Sequence, residues 1–245
     1  MKQAPTFPPL LKGHRVPEGK VPAARARAMV SKGQLGAGDI VWSEDTRTLR
    51  FALVLEPETQ IVRCPEMLPL AMVAFGDAVG AICPPEVAIT YRWPSDILMN
   101  GARIGKAGLE LSDMLVEGVP EWMIVWLDAD IKPADLHTDA GNMAEMTTMW
   151  DEGCGDISRT ELLESTSRHL VNWIHTWSED GFKPVHDQWM GRIDGKRKFA
   201  AGIPDQEEFL GLDEYGNALV KQEQNTRLVS LIETLKNQPP ERQPG

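Results

Sequence analysis

The chain has 245 residues, of which 42% are hydrophobic and 25% charged, and a formal net charge of −11 at pH 7. This length allows one main domain with a buried core and a small appendage. The acidic balance opposes binding to phosphate backbones, no apolar run reaches the roughly 18 residues that span a bilayer, and the first residues lack a signal-peptide pattern. We therefore expect a cytoplasmic protein with neither a nucleic-acid partner nor a membrane partner.

The cysteines, Cys64, Cys83 and Cys154, are widely spaced and form no C-x-x-C pair. That spacing suits neither a disulfide-rich scaffold nor a zinc ribbon. We expect all three to be reduced thiols.

Prolines are frequent at the start of the chain and predict an extended lead-in of roughly twenty residues that holds no helix. Regular structure is predicted to begin with a helix over 23–32, which Gly33 closes. Two strands follow, at 40–43 and 49–55. The connection between them, 44–48, is short.

The next segment alternates between helical and strand patterns. Apolar residues at helical spacing predict an amphipathic helix over 66–81, and alternation over 87–92 predicts a half-buried strand. Asn100-Gly101 is a strong signal for a two-residue hairpin turn. The continuous apolar run 122–127 predicts a central strand of the sheet.

A long helix is predicted to begin at Ser158, since Ser158 and Glu161 form a capping-box pattern. One face stays apolar until Gly181 ends the helix. A short helix carrying Trp189 follows.

Short strands separated by a turn come next and predict a small β-barrel appendage. The last residues are rich in proline and glutamine and are predicted to be disordered. The expected organisation is therefore a main domain over 1–192, a small β domain over 193–236 and a disordered tail over 237–245.

Residues 92–110 read R-W-P-S-D-I-L-M-N-G-A-R-I-G-K-A-G-L-E. This stretch resembles the K-W-P-N-D … N-G-x-K-I-x-G-x-L-x-E signature of the biotin/lipoate protein ligase family. A proline-fixed corner would aim Asp96 inward, and the Asn-Gly turn would fix the strand register. A plain hairpin corner is the alternative, but the order, the spacing and the preceding helix all agree with the family.

The resemblance implies an α/β (α+β) fold of the biotin/lipoate ligase type, which is class II synthetase-like. In that fold a mixed sheet is flanked by helices, and a small SH3-like β-barrel often follows. The implied activity is attachment of a biotinyl, lipoyl or other acyl group to a lysine of a biotinyl or lipoyl carrier domain. The resemblance leaves open whether the protein forms a homodimer.

The resemblance also assigns residues to the site. Asp96 would orient the lysine, and Lys106 or Arg103 would stabilise a carboxylate or an acyl phosphate, so Lys106 and Asp96 are the catalytic candidates. The ligand-binding candidates are Arg92, Trp93, Ser95, Arg103 and Gly108. Strand alternation predicts that Arg103 and Lys106 face opposite sides of the sheet.

The chain departs from the family where nucleotide would bind. The family places a basic glycine loop, G-R-G-R-x-G, between two strands, but here only 44–48 stands there, with Glu44, Asp45 and a single arginine, Arg47. Backbone amides and arginines neutralise phosphate charge, so ATP with magnesium is doubtful and the cofactor is unknown. Two alternatives remain: a transferase that uses an already activated acyl group, and a non-catalytic protein that binds a small acyl molecule or a carrier domain.

Two further clusters have simpler interpretations. The first could bind a divalent cation, but no known metal-loop spacing is present, and we favour a solvated loop without metal. Its members are Asp128, Asp130, Asp135, His137 and Asp139. The second could line an acyl pocket, although core packing is the favoured interpretation. Its members are Met143, Met146, Met149 and Trp150.

Overall fold

The structure is a computed structural model that describes residues 4–133, 145–194, 203, 207–222 and 225–236. Its strands are Lys12–Val16 (β1), Asp39–Ser43 (β2), Thr48–Leu55 (β3), Ile89–Arg92 (β4), Asp96–Met99 (β5), Ala102–Leu111 (β6), Leu115–Val116 (β7), Val119–Pro120 (β8), Met123–Asp130 (β9), Glu208–Leu212 (β10), Ala218–Gln222 (β11) and Asn225–Val229 (β12). Its helices are Pro22–Val30 (α1), Met67–Ile82 (α2), Arg159–Asp180 (α3), Lys183–Gly191 (α4) and Leu231–Lys236 (α5), with a 3-10 helix at Ile61–Glu66 before α2.

A seven-stranded mixed sheet forms the centre, in the order β1-β2-β3-β9-β6-β5-β4. Only the β1–β2 pair is parallel, and the other pairs of this sheet are antiparallel. Strand β9 lies in the middle, as its apolar run predicted, and pairs with β3 along its whole length. The predicted mixed α/β fold with flanking helices is thereby confirmed.

The first strand corrects the expectation for the lead-in, which was wrong in placing the first regular element at the helix. β1 pairs with β2 in register from Lys12 with Asp39 to Val16 with Ser43. The prolines flank β1 rather than interrupt it, and an edge strand tolerates nearby prolines because one side of it needs no hydrogen-bond donors. The His14 Nε2 atom lies 2.6 Å from Asp39 Oδ1 and adds a side-chain contact between the two strands.

Helix α2 is buried almost all round rather than amphipathic. Nearly every residue from Met67 to Val79 is buried, because the helix lies between the sheet and α3. Alanine and glycine occupy the positions where an amphipathic helix would carry polar residues. The segment Ile61–Ile82 has the length and composition to cross a membrane, but 78% of its apolar window is buried inside this fold, as in a core helix.

The helix that follows β9 begins and ends as predicted. The Ser158 Oγ atom accepts a hydrogen bond from the Glu161 backbone amide at 3.1 Å, and Gly181 ends α3 with a φ of 74°. A residue with positive φ at this position is a common helix stop that glycine adopts without strain.

The C-terminal strands β10, β11 and β12 form a separate three-stranded antiparallel sheet. This confirms a small β unit at the C-terminal end of the described chain. Its buried residues Leu212, Ala218 and Val220 join the main hydrophobic core, as does Leu231 of α5. The tail 237–245 lies outside the described residues.

The two faces of the large sheet are covered unequally. Helices α2 and α3 pack over one face with the main core. On the other face α1 contacts β2, β3 and β9, and a smaller apolar cluster lies there. The part of this second face formed by β5, β6 and the far ends of β3 and β9 carries the paired charged residues Asp96, Lys106, Asp128 and Arg50.

Candidate functional site

The β5–β6 hairpin sets the geometry of the site. Asn100 and Gly101 both have positive φ, 51° and 92°, as a two-residue hairpin turn of the predicted kind requires. Further along, Ile97 pairs with Gly105 but Leu98 pairs with Arg103, so β6 contains one extra residue. This bulge breaks the alternation of side chains along β6.

The expectation that Arg103 and Lys106 face opposite sides is therefore wrong. Asp96 pairs directly with Lys106, and its Oδ1 atom lies 3.6 Å from Lys106 Nζ and 3.8 Å from Arg103 Nη1. Both distances exceed the roughly 2.7–2.9 Å of a tight charge-assisted hydrogen bond, so neither cation is fully engaged by this carboxylate. Two signature cations and one carboxylate thus meet on one face.

This meeting point belongs to a row that crosses four strands. Lys106 is paired across the sheet with Asp128, and Asp128 with Arg50. The Arg50 Nε atom donates to Asp128 Oδ1 at 3.0 Å, and both side chains are buried. We call these residues, with Arg103, the charged row; its members are Arg50, Asp128, Lys106, Asp96 and Arg103.

Sequence reasoning missed Arg50. A charged residue inside the otherwise apolar strand β3 was the available signal, since burying a charge is costly unless it is paired. Asp128 was noticed only as a member of a candidate cation cluster. The structure instead places it against Arg50 and Lys106.

Beside the charged row lies an aromatic side chain between two small residues. Trp126 pairs across the sheet with Ala52 on one side and Gly108 on the other. A Cβ atom built on Gly108 would lie 2.1 Å from the indole ring, so Gly108 leaves room for Trp126. The partly exposed indole therefore occupies the space above Gly108 that the sequence analysis assigned to ligand.

The remaining predicted ligand residues form the corner before β5. Arg92 Nη2 donates to Asp194 Oδ2 at 2.9 Å in a buried ion pair, and Trp93 Nε1 donates to the Gly216 carbonyl at 3.2 Å. Ser95 is 1% exposed. The contacts seen for Arg92 and Trp93 are thus made to the protein itself and hold the corner against the C-terminal segment.

The β2–β3 connection is the segment that the resemblance matches to the family's glycine loop. Its single arginine, Arg47, has its Nη2 atom 3.4 Å from Glu18 Oε1 and its Nε atom 3.5 Å from Asp45 Oδ1. Asp45 Oδ1 also accepts a hydrogen bond from the Arg47 backbone amide at 2.9 Å. Two carboxylates therefore lie near the one guanidinium of this turn, which stays 47% exposed.

The candidate metal and acyl clusters are only partly described. Within the described ranges, no group of three or more histidine, cysteine, aspartate or glutamate side chains could hold a metal ion. The predicted members Asp135, His137, Asp139 and Met143 lie outside those ranges. Met149 is buried in the core, whereas the Met146 Sδ atom lies 3.4 Å from Arg103 Nη2 at the edge of the charged row.

A separate cleft of about 600 Å³ opens between helices α3 and α4 and the C-terminal sheet. Its walls include Glu66, Phe182, His186 and Tyr215, and none of its lining residues belongs to the charged row. We place the candidate site on the charged row because the signature side chains converge there.

A model of the biotin/lipoate A/B protein ligase family matches residues 7–191. The chain belongs to this family. The match contains the charged row and the signature corner, whereas strands β10 to β12 lie beyond its end.

Individual relatives agree with this assignment. A biotin–[acetyl-CoA-carboxylase] ligase of Paracoccus denitrificans is 26% identical over 152 residues, which are 62% of this chain and 62% of that protein, so less than two thirds of that relative is matched. A biotin protein ligase-like protein of unknown function from Silicibacter sp. TM1040 is 34% identical in its solved structure, with a TM-score of 0.83 over 95% of this chain and 99% of that one.

The biotin protein ligase of Aquifex aeolicus, solved in complex with biotin and ATP, superposes with a TM-score of 0.68 over 88% of this chain and 95% of that one. Its sequence identity is 15%, so this match shows the ligase fold alone.

Proposed function

We propose that this biotin/lipoate ligase-family protein binds a carboxylate-ended or thioester-linked acyl group on the charged row and passes it to a lysine of a carrier domain. The observation that supports this most directly is the β6 bulge, which brings Lys106 and Arg103 to the same Asp96 oxygen. Two partly engaged cations beside one buried carboxylate can receive an anionic group from outside.

The ligand would lie across the charged row and the neighbouring pair of Trp126 and Gly108. Its carboxylate or carbonyl oxygen would meet Lys106 and Arg103, and its apolar body would lie on the partly exposed indole of Trp126. Small-molecule sites commonly combine an apolar wall with a few placed polar groups that fix the orientation. Biotin, lipoate and octanoate all have this form.

Asp96 would act on the incoming lysine. Its carboxylate lies at the middle of the cationic pair and can accept a hydrogen bond from the carrier lysine, which orients the amine toward the acyl carbon. Lys106 and Arg103 would stabilise the negative charge that develops on the carbonyl oxygen. The carrier would be a biotinyl or lipoyl domain in the cytoplasm.

We propose transfer of an already activated acyl group rather than adenylation. In such a step the lysine nitrogen forms a bond to the thioester carbonyl carbon, the carbon–sulfur bond breaks, and the amine proton passes to the leaving thiolate. The β2–β3 turn supports this choice, since it carries one arginine, Arg47, beside two carboxylates, Glu44 and Asp45, where the family has a basic glycine loop.

A non-catalytic binding protein is the second candidate. It is favoured by Trp126, which covers Gly108 and narrows the face on which both an acyl donor and a carrier lysine must fit. Such a protein would hold the acyl ligand without modifying a carrier.

Mass spectrometry of a carrier domain separates the two candidates. The acceptor is incubated with the protein under two conditions. The first contains ATP together with biotin or lipoate, and the second contains an octanoyl thioester of a carrier protein. We expect a mass gain on the acceptor with the thioester alone, and loss of that gain with Asp96→Ala. An unmodified acceptor under every condition would overturn the transferase and leave the binding protein.

A further inference from the structure

Two of the three cysteines lie side by side although 71 residues separate them in the chain. Cys83 follows the last turn of α2, and Cys154 lies in the segment between β9 and α3. Their Sγ atoms are 2.7 Å apart, with both sulfurs present as free thiols. A disulfide bond measures about 2.05 Å, so a small side-chain movement suffices to join them. The wide sequence spacing hid this pair from the sequence analysis.

The segment that carries Cys154 also holds the charged row. The Arg103 backbone amide donates to the Glu145 carbonyl at 2.9 Å, and the Thr147 amide donates to the Arg103 carbonyl at 3.0 Å. Thr147 Oγ1 donates to Glu152 Oε1 at 2.7 Å. The segment from Glu145 to Cys154 is thus tied to β6 at the residue that contacts Asp96.

The same segment is anchored to the hairpin turn. Asn100 Nδ2 donates to Glu152 Oε2 at 2.8 Å, and the Cys154 amide donates to the Met149 carbonyl at 2.8 Å. A covalent bond from Cys154 to Cys83 would therefore connect the hairpin of the site to helix α2 in the core.

We propose that Cys83 and Cys154 are an oxidation site that forms a reversible intramolecular disulfide with a peroxide. Cys83 is the more exposed of the two and meets the oxidant first. Its thiol reacts with hydrogen peroxide to give a sulfenic acid and water. The Cys154 sulfur then attacks the Cys83 sulfur, the disulfide bond forms, and the sulfenic oxygen leaves as a second water molecule.

Burial and the neighbouring thiol slow this reaction without preventing it. Burial, together with the hydrogen bond to Cys154, raises the pKa of Cys83, and burial likewise raises the pKa of Cys154. Since the thiolate is the reactive form, the pair reacts more slowly than an exposed thiol of low pKa. The disulfide is therefore expected under sustained peroxide exposure and is reversed by dithiothreitol.

Cys64 supplies an internal comparison. It is fully buried in the 3-10 helix before α2, and burial raises the pKa of its thiol to about 11. Its Sγ atom lies 3.8 Å from the Gln60 carbonyl rather than beside another sulfur. If peroxide oxidised every thiol regardless of its neighbours, Cys64 would be oxidised as well.

The test treats the full, ligand-free chain with hydrogen peroxide, alkylates the remaining thiols under denaturing conditions and maps the peptides by mass spectrometry. We expect alkylated Cys64 and a Cys83–Cys154 cross-linked peptide, whose mass is lower by about 2 Da than the sum of the two reduced peptides because two hydrogens leave. The yield should not depend on protein concentration. The melting temperature should rise by about 3 °C or more, because a cross-link closing a long loop restricts the unfolded chain.

The variants Cys83→Ser and Cys154→Ser should each abolish the cross-link, and Cys64→Ser should retain it. Full alkylation of Cys83 and Cys154 after the peroxide treatment, or a disulfide that includes Cys64, would overturn the proposal. The wild-type peptide map gives this result even if a variant fails to fold. An unchanged melting temperature of the cross-linked protein would overturn the claim that the bond fastens the segment.

Discussion

Asp96 and its two cations are the residues on which the proposed site depends. One carboxylate oxygen lies within 4 Å of both Lys106 and Arg103, at 3.6 and 3.8 Å, while the side chain of Lys106 stays 35% exposed. In the proposed site a ligand carboxylate would therefore contact Lys106 without the loss of a tight internal salt bridge.

Replacing Lys106 by methionine tests this arrangement, because methionine keeps the length of the side chain but removes its charge. We expect the affinity for octanoate or biotin to fall by about tenfold, the equivalent of roughly 1.4 kcal/mol. Calorimetric titration measures it, with the exposed Lys32→Met as the matched control. Equal affinities of the two variants would contradict a role for Lys106 in ligand binding.

Gly108 and Trp126 offer a second test at the same scale. A methyl group on Gly108 would collide with the indole, so Gly108→Ala is expected to reduce the free energy of unfolding by about 1–3 kcal/mol. Adding Trp126→Ala removes the collision, and the double variant should lose less than the sum of the single losses. Urea denaturation of the four proteins of this cycle measures the coupling. Strict additivity would show that the indole does not lie over Gly108.

At the scale of elements, strand β1 is held at the sheet edge partly by the His14–Asp39 contact. Burial raises the pKa of Asp39, but hydrogen bonds from the Gly36 amide and from His14, with the charges of His14 and Lys12, outweigh it and leave the pKa below its ordinary value of 3.8. The folded chain therefore binds fewer protons at this group than the unfolded chain near pH 4. Its contribution to stability is complete above the unfolded pKa and is lost as pH falls through the folded pKa.

Comparison of the wild type with Asp39→Asn measures this contribution. The free energies of unfolding should differ by about 1 kcal/mol at pH 5 and converge as the pH falls below 3. Urea denaturation at a series of pH values measures this difference. The contributions of the many other carboxylates are the same in both proteins and therefore cancel. A difference that stayed constant down to pH 2.5 would contradict the assignment.

The elements that the sequence predicted correctly are those whose signals are local. A few neighbouring residues are enough to predict each of three features: the Asn100-Gly101 turn, the Ser158 cap and the apolar strand β9. The β1 pairing depends on a strand more than twenty residues away, and the bulge in β6 depends on its partner β5, so neither has a local signal.

The same limit applies to the site. The signature identified Asp96, Arg103 and Lys106 as a set, because its letters and spacing are distinctive. It could not show that the bulge turns Arg103 and Lys106 to one face, nor that Arg50 completes the row from a different strand. Trp126 escaped notice because its position over Gly108 follows only from the cross-strand register.

At the scale of the whole molecule, the C-terminal sheet and the ligase-type domain share one core. Trp93 of the signature donates to the Gly216 carbonyl, and buried residues of β10, β11 and α5 belong to the main hydrophobic cluster. The expected boundary near residue 192 therefore separates two patterns of secondary structure, and we propose that it does not separate two independently stable units.

A chain that ends at Asp194 tests this proposal. The truncation removes the C-terminal sheet and exposes Trp93 and the apolar residues around it. We therefore expect the melting temperature to fall by about 5 °C or more. A chain that lacks only residues 237–245 is the matched control. Circular dichroism follows both transitions, and equal melting temperatures would show that the ligase-type domain is stable alone.

We propose that this member of the family keeps an acyl site on its sheet but has no phosphate clamp among the residues that the structure describes. Calorimetry with magnesium ATP and, separately, with octanoate, biotin and lipoate tests both halves on the wild-type chain and on Asp96→Ala. We expect no measurable ATP binding, together with binding of at least one acyl ligand that Asp96→Ala weakens. Tight, magnesium-dependent binding of ATP, or acyl-ligand binding that Asp96→Ala leaves unchanged, would contradict the account.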